Sequence, residues 1–351
     1  MKELNVIGLM SGTSLDGLDL VYVRFNFIDG RIRYEILNSE TIPLPVDLAN
    51  RIKSVYNGSA LELSKIDFEF GYFSGNSVRD FIKQNDITPD LIASHGQTIF
   101  HNPTDGYTTQ IGKGGCIAAL TGIDTVSDFR VTDVALGGQG APLVPVGDRY
   151  LFPEYKQCLN LGGFANISVN GFSGYDIGAC NFILNRLAER SGCSYDANGN
   201  LARSGELIED VYDKLSKNPY YQLPAPKSTG AEWAEAEILP LLDSKYTTAD
   251  LLHTYTLHLA EVIAFELNKN GGRVLGSGGG CYNTFLIETI KMQLKDTELV
   301  IPDKEILEYK EALIFALLGY LFVCNKINVY SDYTGAVSNS ISGSLWKGIQ
   351  K

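Results

Sequence analysis

Residues 5–25 read NVIGLMSGTSLDGLDLVYVRF, and the order of residue types in this run decides the fold. An apolar strand through Val6, Ile7 and Leu9 stops at Ser11, and a second through Leu20, Val21 and Val23 begins after Gly17. Between them Ser11, Gly12, Thr13, Ser14 and Asp16 are small or polar, so the pair reads as a β-hairpin bent around a glycine-rich loop. Such a loop offers successive N–H groups and hydroxyls where no Cβ blocks close approach, which is what a phosphate requires. Asp16 would repel a bare phosphate. A hydrated Mg2+ between the two removes the conflict, because this hard cation takes oxygen ligands and keeps several waters. The plain alternative is a hairpin turn closed by an Asx-type hydrogen bond from Asp16.

The same grammar recurs. In QCLNLGGFANISVNG, Leu159 and Leu161 lead into Gly162 and Gly163, and Ile167 and Val169 resume an alternating strand, which predicts a second hairpin with Asn166 as polar neighbour. In RVLGSGGGCYNTFLIETIKMQL, a strand at Val274 and Leu275 meets glycines at 276 and 278–280. A helix follows, with Phe285, Ile287, Ile290 and Leu294 near helical spacing. Residues 91–93 read as a short strand ending at Ser94-His95-Gly96. GKGGCIAALTG and CNFILNRLAERSG read as helices, the latter closed by Gly192. Strands alternating with helices predict an α/β architecture. A glycine hairpin in each half predicts two related lobes, 1–140 and 141–330, with 331–351 returning to the first.

The bulk properties narrow the function. A chain of 351 residues with 44% hydrophobic content can bury two cores of ordinary size. Its net charge of −12 argues against a sequence-independent nucleic-acid binder, which needs surplus Lys and Arg. Six scattered cysteines without a CxxC pair read as reduced thiols. The start MKELNVIGLMSG lacks a signal-peptide pattern, and the apolar run 312–323 is too short for a bilayer of about 30 Å, so we expect a buried helix in a soluble cytoplasmic protein with no membrane partner. There is no GxxxxGK[ST] loop, the Rossmann glycine fingerprint is incomplete, and no GxSxG elbow surrounds Ser11. His253 and His258 are five apart rather than the four of a helical zinc pair.

Among polar residues, Asp176 in GYDIGACNFILNRL stands where a strand end meets a glycine and a helix start. It could cap that helix, but Asn181 stands directly before the apolar face and serves equally, which frees Asp176 as a general base. His95 and Gln97 sit on a loop after a strand, placed to bind a polar ligand, although a loop histidine is as often structural. Asp128, Arg130 and Asp133 form either a salt-bridge knot or a holder for a ligand carboxylate. Lys227 in PKSTG is expected on a mobile turn within reach of a phosphate. Glu311, opening the 312–323 helix, is either a dipole-favourable N-terminal acid or a second carboxylate on the metal side.

Taken in order, GLMSGTSLDGLD, SHGQTIFHNP, QIG, DFRVTDVALGGQGAPLVP, LNLGGFANIS, the Asp176 segment, PKSTG, GGGCYN and EALIFA resemble the anhydro-N-acetylmuramic acid kinases, of the sugar kinase/actin-like ATPase superfamily. The resemblance implies a two-lobed α/β, ribonuclease H-like fold with an interlobe cleft, ATP and Mg2+ as cofactors, and a homodimer. It implies phosphorylation of 1,6-anhydro-N-acetylmuramic acid while water opens the anhydro ring, with Asp176 as the base that activates the water. Gly12, Thr13, Ser14, Leu15, Asp16, Gly17, Leu18 and Asp19 would form the first phosphate loop. Gly162 and Gly163, with Asn166 beside them, would form the second, and Gly278, Gly279, Gly280 and Asn283 the adenosine side. Asp16 and Glu311 would hold the metal through water, and His95, Gln97 and Arg130 would line the sugar pocket. The chain departs from the family pattern at Ile177, at Ala179-Cys180 where Pro-Gly is usual, and at Ala231 where Arg is common, which bears on the sugar pocket.

Overall fold

The computed structural model describes residues 1–12, 15–170, 173–225 and 227–349. Thr13 and Ser14 of the expected phosphate loop therefore lie outside the described residues. The chain folds as two compact units, Met1–Leu151 with Tyr309–Lys351, and Phe152–Glu308. The strands before the second unit are β1 (Leu4–Met10), β2 (Gly17–Ile28), β3 (Arg31–Pro43), β4 (Leu91–Ser94), β5 (Gln97–Asn102), β6 (Tyr107–Ile111) and β7 (Thr125–Ser127). The second unit holds β8 (Gln157–Leu161), β9 (Phe164–Val169), β10 (Ser173–Ala179), β11 (Gly272–Ser277) and β12 (Thr297–Val300); β13 (Ser344–Trp346) ends the chain.

The first unit's main sheet has the order β13-β7-β4-β1-β2-β3, and the second unit's sheet has the order β10-β9-β8-β11-β12. In each, three antiparallel strands form a meander whose first strand pairs in parallel with a later one, β1 with β4 and β8 with β11. β4 with β7 and β11 with β12 extend the parallel side. This repeated order is the ribonuclease H-like sheet of the α/β class. Both expected hairpins are present, their last pairs being Met10 with Asp19 and Leu161 with Ala165. β4 is buried at all four positions, as a central strand covered on both faces must be, whereas the edge strand β3 is mostly half-buried or exposed.

Helices close the cores. The helix Ala60–Asn85 starts at a reciprocal capping box, Ser59 with Glu62, and lays Ile66, Phe70, Val78 and Phe81 into the first unit's core. In the second unit, the helix Thr248–Asn270 carries Leu251, Tyr255, Leu259 and Ile263 into a core shared with β8, β9 and β10. Each such side chain contributes about 2 kcal/mol by leaving water.

The helix Lys304–Val323 corrects two expectations. It begins well before residue 312 because Asp303 accepts a hydrogen bond from the Ile306 N–H at 2.9 Å and starts the first turn. Glu311 thus lies inside the helix and is not a dipole-favourable N-terminal acid. Residues from Tyr309 onward also belong with the first unit, where the sequence reading placed 309–330 in the second lobe. The reason is close packing of small residues: a Cβ at Gly8 would overlap the Ala312 carbonyl and lie 2.8 Å from the Ala316 Cβ, and one at Gly319 would lie 2.5 Å from the Ala93 Cβ.

Candidate active site

The candidate residues fall into two groups, one in each unit. In the first unit, β1 ends at Ser11, which is buried. Its hydroxyl meets the Gln97 side-chain amide at 2.8 Å. With its NH2 turned to this side, Gln97 also donates to the Gly12 and Ser11 carbonyls at 3.1 and 3.2 Å. Gln97, the first residue of β5, thus ties the start of the hairpin loop to the chain that follows the neighbouring parallel strand β4. Leu15 and Leu18 are buried in the core, the Leu15 N–H donating to the Gly12 carbonyl at 3.2 Å and Leu18 pairing with Ile42 of β3, and Gly17 is a packing glycine whose Cβ would lie 2.5 Å from the Thr41 methyl. Asp16 is exposed. Asp19 accepts from the Thr41 hydroxyl at 2.6 Å.

His95 follows β4, is buried, and stacks on Phe315 with ring centroids 4.2 Å apart and planes 7° apart. Burial, followed by the positive Arg130, holds its imidazole neutral, well below the usual histidine range. Arg130 Nη2 lies 3.2 Å from His95 Nε2. Arginine can only donate, so Nε2 accepts and Nδ1 carries the proton. That Nδ1 is buried without a partner among the described residues. Arg130 Nη1 donates to the Gly140 carbonyl at 2.6 Å, while its Nε has no partner among the described residues.

Of the two readings of Asp128, Arg130 and Asp133, the salt-bridge knot does not form among the described residues. Asp128 accepts from the Ser127 hydroxyl at 2.7 Å, and Asp133 accepts from the Gly140 N–H at 2.7 Å and the Thr334 hydroxyl at 2.6 Å. Both carboxylates are used on local donors, so Arg130 forms no ion pair among the described residues. Glu311 is exposed, yet desolvation by surrounding protein pushes its carboxyl up; Lys310 opposes this, Asp19 adds to it and Arg130 opposes it again. Asp19 is the like charge felt at the Glu311 carboxyl, and two carboxylates near one another suit a hydrated cation.

In the second unit, Asp176 lies in β10 opposite Asn166 of β9, beside a bulge between Asp176 and Gly178. The bulge re-aims the strand at this point. Asp176 Oδ2 accepts from the Ser228 hydroxyl and the Thr229 N–H, both at 3.0 Å. Oδ1 has no partner among the described residues. Asp176 is not a helix cap, and neither is Asn181. The helix Asn181–Glu189 has Cys180 at its N-cap without a side-chain bond, and Asn181 Nδ2 donates to the Leu161 carbonyl at 2.9 Å. Its first N–H groups are met instead by backbone. Cys180 and Phe182 donate to the Gly163 carbonyl at 2.8 and 3.0 Å, and Asn181 to that of Gly162 at 3.1 Å. The Gly162–Gly163 turn therefore replaces a capping side chain, and a Cβ on Gly163 would meet nothing within 4 Å.

Gly278 has φ +83°, and its Cβ would lie 2.9 Å from the Leu161 carbonyl; Gly280 is equally tight, whereas Gly279 is open. Asn283 caps the helix Thr284–Gln293 by accepting from the Leu286 N–H at 3.0 Å. Lys227 is not a phosphate contact on a free turn. It is buried, with Nζ 3.3 Å from Glu266 Oε1 and near the Tyr220 and Tyr221 carbonyls. Ile177, Ala179 and Cys180, the departures beside Asp176, are fully buried in the second unit's core. Sequence reasoning missed Ser228 and Thr229 as the clamp on Asp176, although the hydroxyls of PKSTG were the available signal. It also missed Phe315, one turn after Glu311 on the same helix.

A sheet of one strand order repeated in two units, with glycine turns at matching places and a clamped carboxylate, is an α/β arrangement suited to phosphoryl transfer, and the family match makes it that of a sugar kinase. Residues 4–348 match the model of the anhydro-N-acetylmuramic acid kinase family, and the chain belongs to that family. It is 34% identical to an anhydro-N-acetylmuramic acid kinase of Sulfurovum sp. over 99% of this chain and 100% of that protein. It is likewise 34% identical to the protein of that name from Vibrio vulnificus, over 98% of each. A Bacillus cereus anhydro-N-acetylmuramic acid kinase is 33% identical over 97% of this chain and 98% of its own length. Among the described residues, no helix is long and apolar enough to cross a membrane.

Proposed function

We propose that this protein uses ATP to convert 1,6-anhydro-N-acetylmuramic acid into N-acetylmuramate 6-phosphate in murein recycling. The carboxylate of Asp176 takes a proton from water, and the water oxygen attacks the anomeric carbon. The bond from that carbon to O6 breaks, and O6 attacks the γ-phosphorus with ADP as leaving group. The observation that carries this reading is Asp176 itself: one oxygen is held by two donors and the other has no partner among the described residues, which leaves that side for a base to accept.

The chain's other residues take the positioning roles that phosphoryl transfer mainly asks for. The N–H groups at the loop between β1 and β2 and of Gly162 and Gly163 hold phosphates, although Leu15 donates to the Gly12 carbonyl and Gly17 to Asp19 are paired within the sheet, and Gly278, Gly279, Gly280 and Asn283 meet the adenosine. His95, through its Nδ1–H, with Gln97 and Arg130, orients the sugar. Asp16 and Glu311 would hold Mg2+ through water, and the ion would supply neutralisation of phosphate charge. Burial of Ile177, Ala179 and Cys180 supports retention of the family's sugar, since these changes repack a core. We read the setting as cytoplasmic and the assembly as a homodimer.

The test is a coupled ADP-release assay with anhydro-N-acetylmuramate, N-acetylmuramate and N-acetylglucosamine, followed by mass analysis of product formed in 18O-labelled water. ADP release with the anhydro sugar alone and one label at the anomeric carbon are expected. Turnover of a free sugar without label would replace this reading with simple phosphorylation.

A further inference from the structure

The backbone and side chain of Asp176 are held almost wholly by Tyr220 and residues 227–229. Its N–H donates to the Lys227 carbonyl at 2.9 Å, its carbonyl accepts from the Tyr220 hydroxyl at 2.9 Å, and its Oδ2 is clamped by Ser228 and Thr229. That segment is neither helix nor strand from residue 227 to 230, so something else must fix it. The buried Glu266, on the helix Thr248–Asn270, does so. Its Oε1 meets Lys227 Nζ at 3.3 Å, directly beside the clamp. Its Oε2 accepts from the Tyr175 hydroxyl at 3.0 Å, directly beside Asp176 on β10, and from Lys269 Nζ at 2.6 Å. Lys227 Nζ also lies 5.1 Å from the Tyr220 ring centroid, the ring whose hydroxyl holds the Asp176 carbonyl.

We propose that Glu266 is a positioning residue that pins strand β10 and the 227–229 clamp to one helix, and thereby sets the direction of the Asp176 carboxylate. This rests on Asp176 being the base. A carboxylate and an ammonium both withdrawn from water hold one geometry firmly, because leaving either unpaired is strongly unfavourable. Neither side chain of the pair bonds the Asp176 carboxylate itself, so its effect passes through Tyr175 and the clamp. A misplacement of about 1 Å at a reacting group is enough to cost about a hundredfold in rate.

The experiment measures kcat and KM per nucleotide-competent molecule for Glu266→Gln, Ser228→Ala, Tyr175→Phe and the neutral pair Lys227→Met with Glu266→Gln. Glu266→Gln and Ser228→Ala are expected to lower kcat about tenfold to a hundredfold, with the KM for ATP within about twofold. The neutral pair should recover part of the loss seen in Glu266→Gln, since it leaves no buried charge unpaired. If Glu266→Gln does not fold, Tyr175→Phe and Ser228→Ala decide, each with kcat lowered at least about threefold. Wild-type kcat in Ser228→Ala, or in whichever anchor variant folds, overturns the proposal. Asp176→Asn runs alongside: if it stays active the base assignment fails, and if it alone is inactive only the anchor fails.

Discussion

The turns between β1 and β2 and between β8 and β9 occupy the same place in two sheets of the same strand order, yet they are built from different chemistry. The first runs from the buried Ser11 to the exposed Asp16 and is braced by a side chain, Gln97, from the start of β5. The second is a bare Gly162–Gly163 turn whose carbonyls serve the start of the helix Asn181–Glu189. The loops after the parallel strands β4 and β11 differ in the same sense, His95 in one and Gly278 to Gly280 in the other. One topology thus supports two kinds of loop: the first unit presents hydroxyl, imidazole, guanidinium and carboxylate groups, while the second presents backbone and one clamped carboxylate. Local sequence, not the sheet, sets what each turn offers.

The comparison breaks first at Asp176. If the second unit's chemistry resides in that single carboxylate, Asp176→Asn lowers kcat at least about a hundredfold while ATP affinity, measured by calorimetry, stays within about twofold. Near-normal turnover would mean that the polar groups of the first unit suffice.

A pH measurement sharpens the contrast between the buried histidines. Burial holds His95 neutral, well below its ordinary range, and pushes His258 down to about 4. An unfolded histidine takes up a proton below about pH 6.5, whereas folded His258 does so only near 4. Its stability contribution is therefore complete above 6.5 and is lost as pH falls toward 4, amounting to about 2 kcal/mol at pH 5. Urea midpoints at pH 7 and pH 5 should fall less in His258→Phe than in the wild type, while the part owed to His95 in the other unit remains. An equal drop in both proteins would remove His258 from the account.

Gly163 gives a smaller effect with a cleaner sign. Its φ is not positive and an added Cβ meets nothing, so Gly163→Ala should change stability by under about 0.5 kcal/mol. If phosphate approaches this backbone, ATP affinity should nevertheless fall about tenfold, because a methyl group stands where close approach was possible. Unchanged affinity would leave the turn as a helix cap alone.

Much of this was legible in the sequence wherever the signal was local. The hairpins at residues 5–25 and 157–171 and the strand, turn and helix at 273–294 announce themselves by apolar period and glycine clusters within a few residues. The helix holding Glu311 was misread because its true start depends on one capping aspartate, Asp303, ahead of a polar first turn. Arg130 suggested an ion knot because Asp128 and Asp133 are near in sequence, but each finds a closer donor in space. Lys227 looked like a phosphate contact because its partner Glu266 is 39 residues away, on a helix whose pattern gives no hint of a buried carboxylate. Pairings of that range arise only from packing.

Asn283 offers the smallest and most discriminating change, because it has a structural duty that can be separated from a ligand duty. Its side-chain oxygen accepts from the Leu286 N–H, so Asn283→Ala should cost about 1 kcal/mol of stability. Asn283→Asp keeps an acceptor at the helix start, where negative charge is also favourable, and should cost only a few tenths of a kcal/mol. What Asp cannot supply is the amide NH2. If Asn283 also donates to the adenosine, both variants weaken ATP binding by about fivefold, the worth of one neutral hydrogen bond. If affinity holds in both while stability falls only in the alanine variant, Asn283 is a cap and nothing more. The second unit's nucleotide loop would then act through glycine backbone alone, the purest form of its difference from the first.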